Sequence, residues 1–381
     1  MANIFIHGLN SKSGGGKSIL DNYLILLRKS DLKDRYFILE PNKNEYDKYE
    51  NDCIEIVDIG NLYKKLYMVY FRYEFILPKL IKSLNIDVIF NLSDVPIKVN
   101  NVKQIFLFDW PYAVYPESII WKKMDKFSAF ERKLKLFFFK KYLSFITTMV
   151  VQTDTAKMRL LNIFDIKNIK VVPNAVSLEN MDGGIYKDFN LPDGIKLLYL
   201  CVYFPHKNLE IFISLAKKIK QNNLDYKIII TIESSQHTQV KLLLDDIRKF
   251  KLDDIIINIG SVKMENVPSL YKQCNGLLMP TLLESFSGTY VEAMYHKIPI
   301  FTSDIDFAHD VCKNSAFYFD PLDSDSILNT IEHAFKDGVN QKVDIGSEIL
   351  NDFLGWEEVM NLIVKIIEEE KNDIAEEKND E

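Results

Sequence analysis

The chain has 381 residues, 47% hydrophobic and 27% charged, room for two globular domains and too apolar for a disordered chain. The net charge of −7 is unevenly spread: residues 1–180 carry 27 basic and 20 acidic side chains and the remainder 20 and 34, which argues against a dedicated nucleic-acid binder. No run reaches the roughly 18 apolar residues of a membrane span, no basic-then-apolar leader opens the chain, and Cys53, Cys201, Cys274 and Cys312 never form Cys-x-x-Cys, so a cytosolic, reduced protein without disulfides or structural zinc is expected.

Taken in chain order, short apolar runs alternate with longer helical patterns. Strands are expected at 3–8, 36–41, 54–60, 87–92, 104–109, 148–152 and 170–174. A second series follows at 196–203, 227–233, 255–260, 276–280, 298–303 and 316–320. Most are continuous apolar runs, as parallel strands buried on both faces require. The pattern predicts doubly wound α/β architecture, made twice. Residues 177–194, with Met181-Asp182-Gly183-Gly184 and Leu191-Pro192-Asp193-Gly194, have linker composition. The expected domains are therefore 1–176 and 195–354. Residues 373–381 are left as an acidic tail.

The loop from His7 to Ser18 follows the first strand and precedes the apolar-periodic segment 19–27. Gly14, Gly15 and Gly16 allow close approach of a ligand, and the helix start behind them favours an anion. Gly16-Lys17-Ser18 mimics the end of a P-loop, but Ser11 stands where its first glycine belongs, so that pattern fails.

Residues 119–142 carry eight basic side chains against Asp125 and Glu131, interleaved with Trp121, Phe127, Phe130, Phe137, Phe138 and Phe139; residues 62–82 are similarly aromatic and mildly basic. Two readings stand together: core aromatics with solvated lysines, or a helix that docks on an anionic membrane surface.

The densest signal is Pro280-Thr281-Leu282-Leu283-Glu284-Ser285-Phe286-Ser287-Gly288-Thr289-Tyr290-Val291-Glu292. A buried strand ends at Pro280, a helix opens near Gly288, and Glu292 falls about one turn into it. Free N–H groups at Phe286–Thr289 suit a diphosphate, and the flanking carboxylates suit sugar hydroxyls.

With these residues the chain resembles the family 4 retaining glycosyltransferases of bacterial surface-polysaccharide (O-antigen and capsule) type. Glu284 and Glu292 match the family's E-x7-E motif. Tyr203-Phe204-Pro205-His206-Lys207-Asn208 resembles its phosphate-lysine segment, 316–323 its closing strand and turn, and Gly14-Gly15-Gly16 its N-terminal glycine loop. Val150-Val151-Gln152-Thr153, Val172-Pro173-Asn174-Ala175-Val176 and Gly355-Trp356-Glu357-Glu358 extend the likeness over nearly the whole chain. One departure is Val202, where the family usually has an arginine.

The resemblance implies a GT-B fold, two Rossmann-like doubly wound parallel-sheet domains facing a central cleft, and it adds a C-terminal helix at 356–372 to the first. It implies catalytic roles for Glu284, which orients the donor sugar, and Lys207, which stabilises the leaving diphosphate. Asp109, ending a first-domain strand, is a candidate to position the acceptor hydroxyl, or a turn cap. Donor contacts are expected from Gly14, Gly15, Gly16, His206, Asn208, Ser261, Val262, Ser285, Phe286, Ser287, Gly288 and Thr289, with Glu292 on the ribose.

No cofactor or metal is implied. Asp304-Ile305-Asp306 and Asp323-Ser324-Asp325 read as structural, with helix capping the explanation for Asp304, Asp306 and Asp323. The function expected is retaining, metal-independent transfer of a hexose-type sugar from a nucleoside-diphosphate sugar to a glycan acceptor. The basic aromatic helix suits a lipid-linked acceptor at the inner face of the plasma membrane. The alternatives are a nucleotide-sugar epimerase of the same fold and a non-catalytic nucleotide-sugar-binding subunit.

Overall fold

The computed structural model describes residues 1–12, 14–176, 178, 181 and 186–379. The glycines of the linker motif at 183 and 184, and most of the linker's first half, lie outside the described residues. The chain divides into two compact units. One comprises Met1–Val114, Asp125–Asn174 and Trp356–Glu381, the other Tyr115–Met124 and Ala175–Gly355. Residues Tyr115–Met124 thus group with the second unit, although their sequence position lies inside the first.

The first unit is built on seven parallel strands: β1 (Asn3–His7), β2 (Arg35–Leu39), β3 (Ile54–Val57), β4 (Val88–Asn91), β5 (Lys103–Phe108), β6 (Thr148–Val151) and β7 (Ile169–Val171). Their order is β3-β2-β1-β4-β5-β6-β7. The second holds six: β8 (Ile195–Tyr199), β9 (Tyr226–Ile230), β10 (Ile256–Asn258), β11 (Gly276–Met279), β12 (Ile300–Ser303) and β13 (Ala316–Phe319), ordered β10-β9-β8-β11-β12-β13. Each expected strand is present; most are shorter than expected, β5 is shifted by one residue at the same length, and β2, β5, β7, β8 and β9 each begin one residue earlier. Central strands such as Ile4-Phe5-Ile6 and Ile228-Ile229-Ile230 are buried completely, because helices cover both faces of a parallel sheet.

In both sheets the strand order reverses beside the first strand, between β1 and β4 and between β8 and β11. At such a switch point the connections leave in opposite directions and open a crevice at the carboxyl ends.

Helix α1 (Gly14–Lys29) follows β1, α2 (Leu77–Ser83) precedes β4, and α3 (Lys126–Tyr142) and α4 (Asp154–Ile163) flank β6. Asp125 caps α3 by accepting from the amides of Phe127 and Ser128, both at 3.0 Å. Thr153 caps α4 through the Ala156 amide at 3.1 Å. Such caps satisfy amides that the helix leaves unpaired. In the second unit α5 (Ile211–Gln221), α6 (Thr238–Lys249), α7 (Gly288–Tyr295), α8 (Asp306–Cys312), α9 (Ser324–Asp337) and α10 (Asn340–Ile349) surround the sheet.

The last helix, α11 (Trp356–Asn379), belongs to the first unit. Glu370 accepts from Thr148, Lys170 pairs with Glu369, and Lys371 pairs with buried Asp34. It runs through Asn379, past the boundary expected at 372. Before that boundary Lys371 and Glu368 pair at 2.7 Å, one turn apart.

Candidate active site

Four connections leave the carboxyl edge of the second sheet with chemistry-bearing residues. The turn Pro205–Lys207 follows β8, Glu233 follows β9, Ser261 follows β10, and the loop 280–287 follows β11. Lys207 and Glu284 therefore flank the switch point.

Their side chains form a direct ion pair, largely removed from solvent, with relative exposures of 16% and 12%. Thr281 Oγ1 also donates to Glu284 Oε1 at 3.2 Å. Glu284 is thus held from two sides, and Lys207 is presented as an oriented ammonium.

The neighbouring backbone is tied in the same way. The Leu282 amide donates to the His206 carbonyl at 2.8 Å, and Thr281 Oγ1, whose single hydrogen serves either acceptor, lies 3.2 Å from the same oxygen. The Tyr199 hydroxyl donates to the Lys207 carbonyl at 3.0 Å. The His206 ring lies against Phe204, with centroids 5.5 Å apart. Asn208, almost fully buried, stands in the left-handed region at φ +56° and closes the turn.

Helix α7 begins at Gly288, as the sequence suggested. Ser287 stands at its cap position without a side-chain cap bond; its hydroxyl pairs with that of Thr289 at 2.8 Å. A Cβ at Gly288 would meet nothing within 4 Å, so the amino end of α7 is open. Ser285 and Phe286 are half-buried, and the Phe286 ring meets Phe353 edge-on.

Glu292 is half-buried, and Tyr271 donates its hydroxyl to Glu292 Oε2 at 2.8 Å. Burial raises the carboxyl pKa, and the bond from Tyr271 partly opposes that rise. At the outer edge Gly260 has φ +73°, and the exposed Ser261 donates its amide to Glu233 Oε1 at 3.2 Å, with Val262 half-buried beside it. Val202, the position without the arginine, is 55% exposed.

Gly15, Gly16 and Asp109 lie on the first unit, where α1 opens at Gly14. A Cβ at Gly16 would lie 3.7 Å from Ser11 Oγ and 3.9 Å from Asp109 Oδ2, so this α-carbon faces two polar groups. Ser11 Oγ is buried with no hydrogen-bond partner among the described residues. Lys17, the lysine of the failed P-loop, is turned to Glu45 at 2.5 Å.

Asp94, just after β4, accepts from Asn10 at 3.1 Å and from Lys135 at 2.9 Å. Burial and the negative charge of Asp94 push the half-buried Asp109 carboxyl up to about 7. Its folded pKa exceeds the unfolded value, so its contribution to stability is full below about pH 4 and is lost as pH rises through 7. Asp109→Asn is accordingly expected to raise Tm by a few degrees at pH 8 and to leave it unchanged at pH 4. Equal shifts at both pH values in a melting series would contradict this.

The acidic triplets are accounted for without a metal. Asp323 caps α9 through the Asp325 amide at 2.8 Å. Capping does not explain the other pair. Asp304 bonds His309 at 2.6 Å and Asp306 accepts from the Tyr115 hydroxyl at 2.8 Å, while Ile305 holds the cap position of α8. The sequence reading missed Tyr271, Asp94 and Lys123, none of which stands in a motif.

Residues 187–349, which contain Lys207, Ser261, Glu284 and Glu292, match the family of group 1 glycosyl transferases. This match lies within the second unit and spans less than half of the chain. Over 156 residues, 39% of this chain and 43% of the relative, the sequence is 28% identical to the O-antigen chain mannosyltransferase RfbU of Salmonella typhimurium. The gpi3 subunit of the phosphatidylinositol N-acetylglucosaminyltransferase of Schizosaccharomyces pombe is 19% identical over 202 residues, again 43% of its length. These matches span less than half of either relative.

Solved structures extend the likeness in fold beyond the matched residues. Sucrose-phosphate synthase of Thermosynechococcus elongatus superposes with a TM-score of 0.72 at 13% identity, covering 97% of this chain and 99% of that one. Anabaena HepE in complex with UDP-glucose gives 0.68 at 14% identity, with 97% and 100% covered. Two parallel-sheet Rossmann-like units with such neighbours define the fold as GT-B.

Proposed function

We propose that the protein is a retaining glycosyltransferase that moves a hexose from a nucleoside-diphosphate sugar to a lipid-linked glycan acceptor in bacterial surface-polysaccharide synthesis. The observation that carries this reading is the Lys207–Glu284 pair beside the open amino end of α7, inside the matched domain. A lysine and free amides stabilise the charge that develops on a departing diphosphate, and an oriented carboxylate accepts hydrogen bonds from sugar hydroxyls. Glu292 is assigned to the ribose.

In the proposed step the acceptor oxygen bonds to the anomeric carbon from the leaving-group side as its bond to the diphosphate breaks. The acceptor proton passes to a diphosphate oxygen, and configuration is retained without a covalent enzyme intermediate. The proposed step is assigned no metal and draws its charge stabilisation from Lys207 and the start of α7.

The test is thermal shift against nucleoside diphosphates and their sugar conjugates, followed by transfer with the stabilising donor in EDTA. Stabilisation, transfer and a retained anomeric configuration in the product support the reading. Inverted product would overturn the stereochemical part, and free donor epimerised without transfer would replace the activity.

An anionic membrane surface is proposed as the site where the acceptor is met. No helix among the described residues is long and apolar enough to cross a membrane. The two sequence readings of 119–142 divide by residue. Phe138, Phe139 and Tyr142 are buried, whereas Phe127, Phe130 and Phe137 are 67%, 62% and 58% exposed, in one stripe with exposed Lys126, Lys133 and Lys140. The segment 67–75 joins this face: Tyr70 lies 6.3 Å from Phe138, and exposed Phe71 and Phe75 lie beside it. Glu74, the acid within the patch, is consumed by Lys141, Lys98 and Tyr142 and held down to about 2.

Each lysine near an anionic surface contributes about 1 kcal/mol. Replacing Lys126, Lys133 and Lys140 by serine is therefore expected to weaken binding to phosphatidylglycerol vesicles about 100-fold in co-sedimentation. Unchanged binding would remove the membrane assignment.

A further inference from the structure

The turn that presents Lys207 is held by a residue from outside the matched domain. Residues Tyr115–Met124, which belong to the second unit, are anchored there at both ends. At one end the Tyr115 hydroxyl donates to Asp306 Oδ1 at 2.8 Å, and the Tyr115 ring meets Phe307 edge-on at 6.3 Å. In the middle Ile120 is fully buried, and Trp121 Nε1 donates to the Tyr115 carbonyl at 3.1 Å. At the other end Lys123 Nζ donates to Asn208 Oδ1 at 2.9 Å.

Asn208 is 1% exposed, and its amide nitrogen donates to the carbonyls of Pro280 at 3.1 Å and Pro321 at 2.8 Å. One side-chain amide therefore joins the chain after β8 to the segments that follow β11 and β13. Both amide hydrogens are used, which leaves Oδ1 as the remaining polar group of a buried side chain, and Lys123 satisfies it. An amide oxygen left without a donor in such a place is costly, so Lys123 helps to hold Asn208, at φ +56°, where it closes the turn. Lys207 is the next residue back along the chain.

We propose that Lys123 is a positioning residue of the donor site: through Asn208 it fixes the Pro205–Lys207 turn and so aims the Lys207 ammonium. This rests on the donor reading given above. Lys123 touches neither donor nor acceptor in this role, and its effect falls on the diphosphate, the part of the donor that Lys207 serves.

The test compares wild type with Lys123→Met, which keeps the stem and removes the donor, and Lys123→Arg, which restores one. Lys123→Met is expected to weaken binding of the nucleoside diphosphate about tenfold and to leave binding of the bare nucleoside unchanged. Lys123→Arg should return the diphosphate affinity to within about threefold of wild type. Hydrogen exchange of the peptide spanning 203–211, measured without ligand, should be several-fold faster in Lys123→Met alone.

Equal loss for nucleoside and diphosphate, or no rescue by arginine, would overturn the positioning role. Unchanged exchange in Lys123→Met would overturn it even if no nucleotide bound to any of the three proteins. That last result would also retire the donor assignment, which exchange does not probe.

Discussion

Glu284→Gln is expected to lower sugar transfer roughly 1,000-fold while the affinity for nucleoside diphosphate changes by less than about threefold. The magnitude follows from preorganised polar groups at a reacting centre, whose single removal typically costs two to three orders of magnitude. Glutamine keeps the shape and one acceptor but loses the charge that pairs with Lys207 and Thr281 Oγ1. In the proposed reaction the carboxylate holds donor hydroxyls, so its loss falls on the turnover step, and the nucleotide retains its own contacts at Glu292 and the start of α7. Single-turnover rates with a saturating donor, set beside calorimetric titration of the diphosphate, separate the two quantities. A wild-type rate in the variant would remove Glu284 from the active site.

Lys207→Ala has the opposite signature. Hydrogen bonds to charged groups contribute about 1.5–3 kcal/mol, so the nucleoside diphosphate should bind at least about tenfold more weakly, with a smaller effect on the nucleoside alone. Stability should fall as well, because Glu284 is left with little solvent and no cation. The double variant is then expected to lose less stability than the two single losses combined, since removing either partner already breaks the shared pair. Additive losses in a denaturation cycle would mean that the pair contributes nothing to the fold, and undiminished diphosphate affinity would take Lys207 out of the donor site.

Much of this architecture was legible because parallel strands announce themselves. Ile228-Ile229-Ile230 and Leu277-Leu278-Met279 are continuous apolar runs with no polar face. The end of β11 then locates the loop 280–287 and the helix behind it, whereas residues 203–208 were singled out through the family resemblance. Contacts across long separations were not. Lys123 and Asn208 are 85 residues apart and Tyr271 and Glu292 are 21 apart; neither spacing marks a pair until the strands are ordered.

The three consecutive phenylalanines of α3 illustrate a different limit. Phe137, Phe138 and Phe139 are chemically identical, and helical phase alone leaves the first exposed and buries the other two. The acidic end of α11 was read as a tail from its charge, whereas the helix continues through Asn379.

The assignment of α11 to the first unit bears on the order in which the chain can finish folding. A ribosome delivers the whole second unit before it delivers Trp356–Asn379, the helix carrying the partners of Thr148, Lys170 and Asp34. Until that helix emerges, the earlier-made unit therefore waits with Asp34 lacking its cation, while the later-made one already has all its parts. Folding from the amino end, the usual sequence for tandem domains, is inverted here for this step, and a helix made after the second unit closes the sheet made before it.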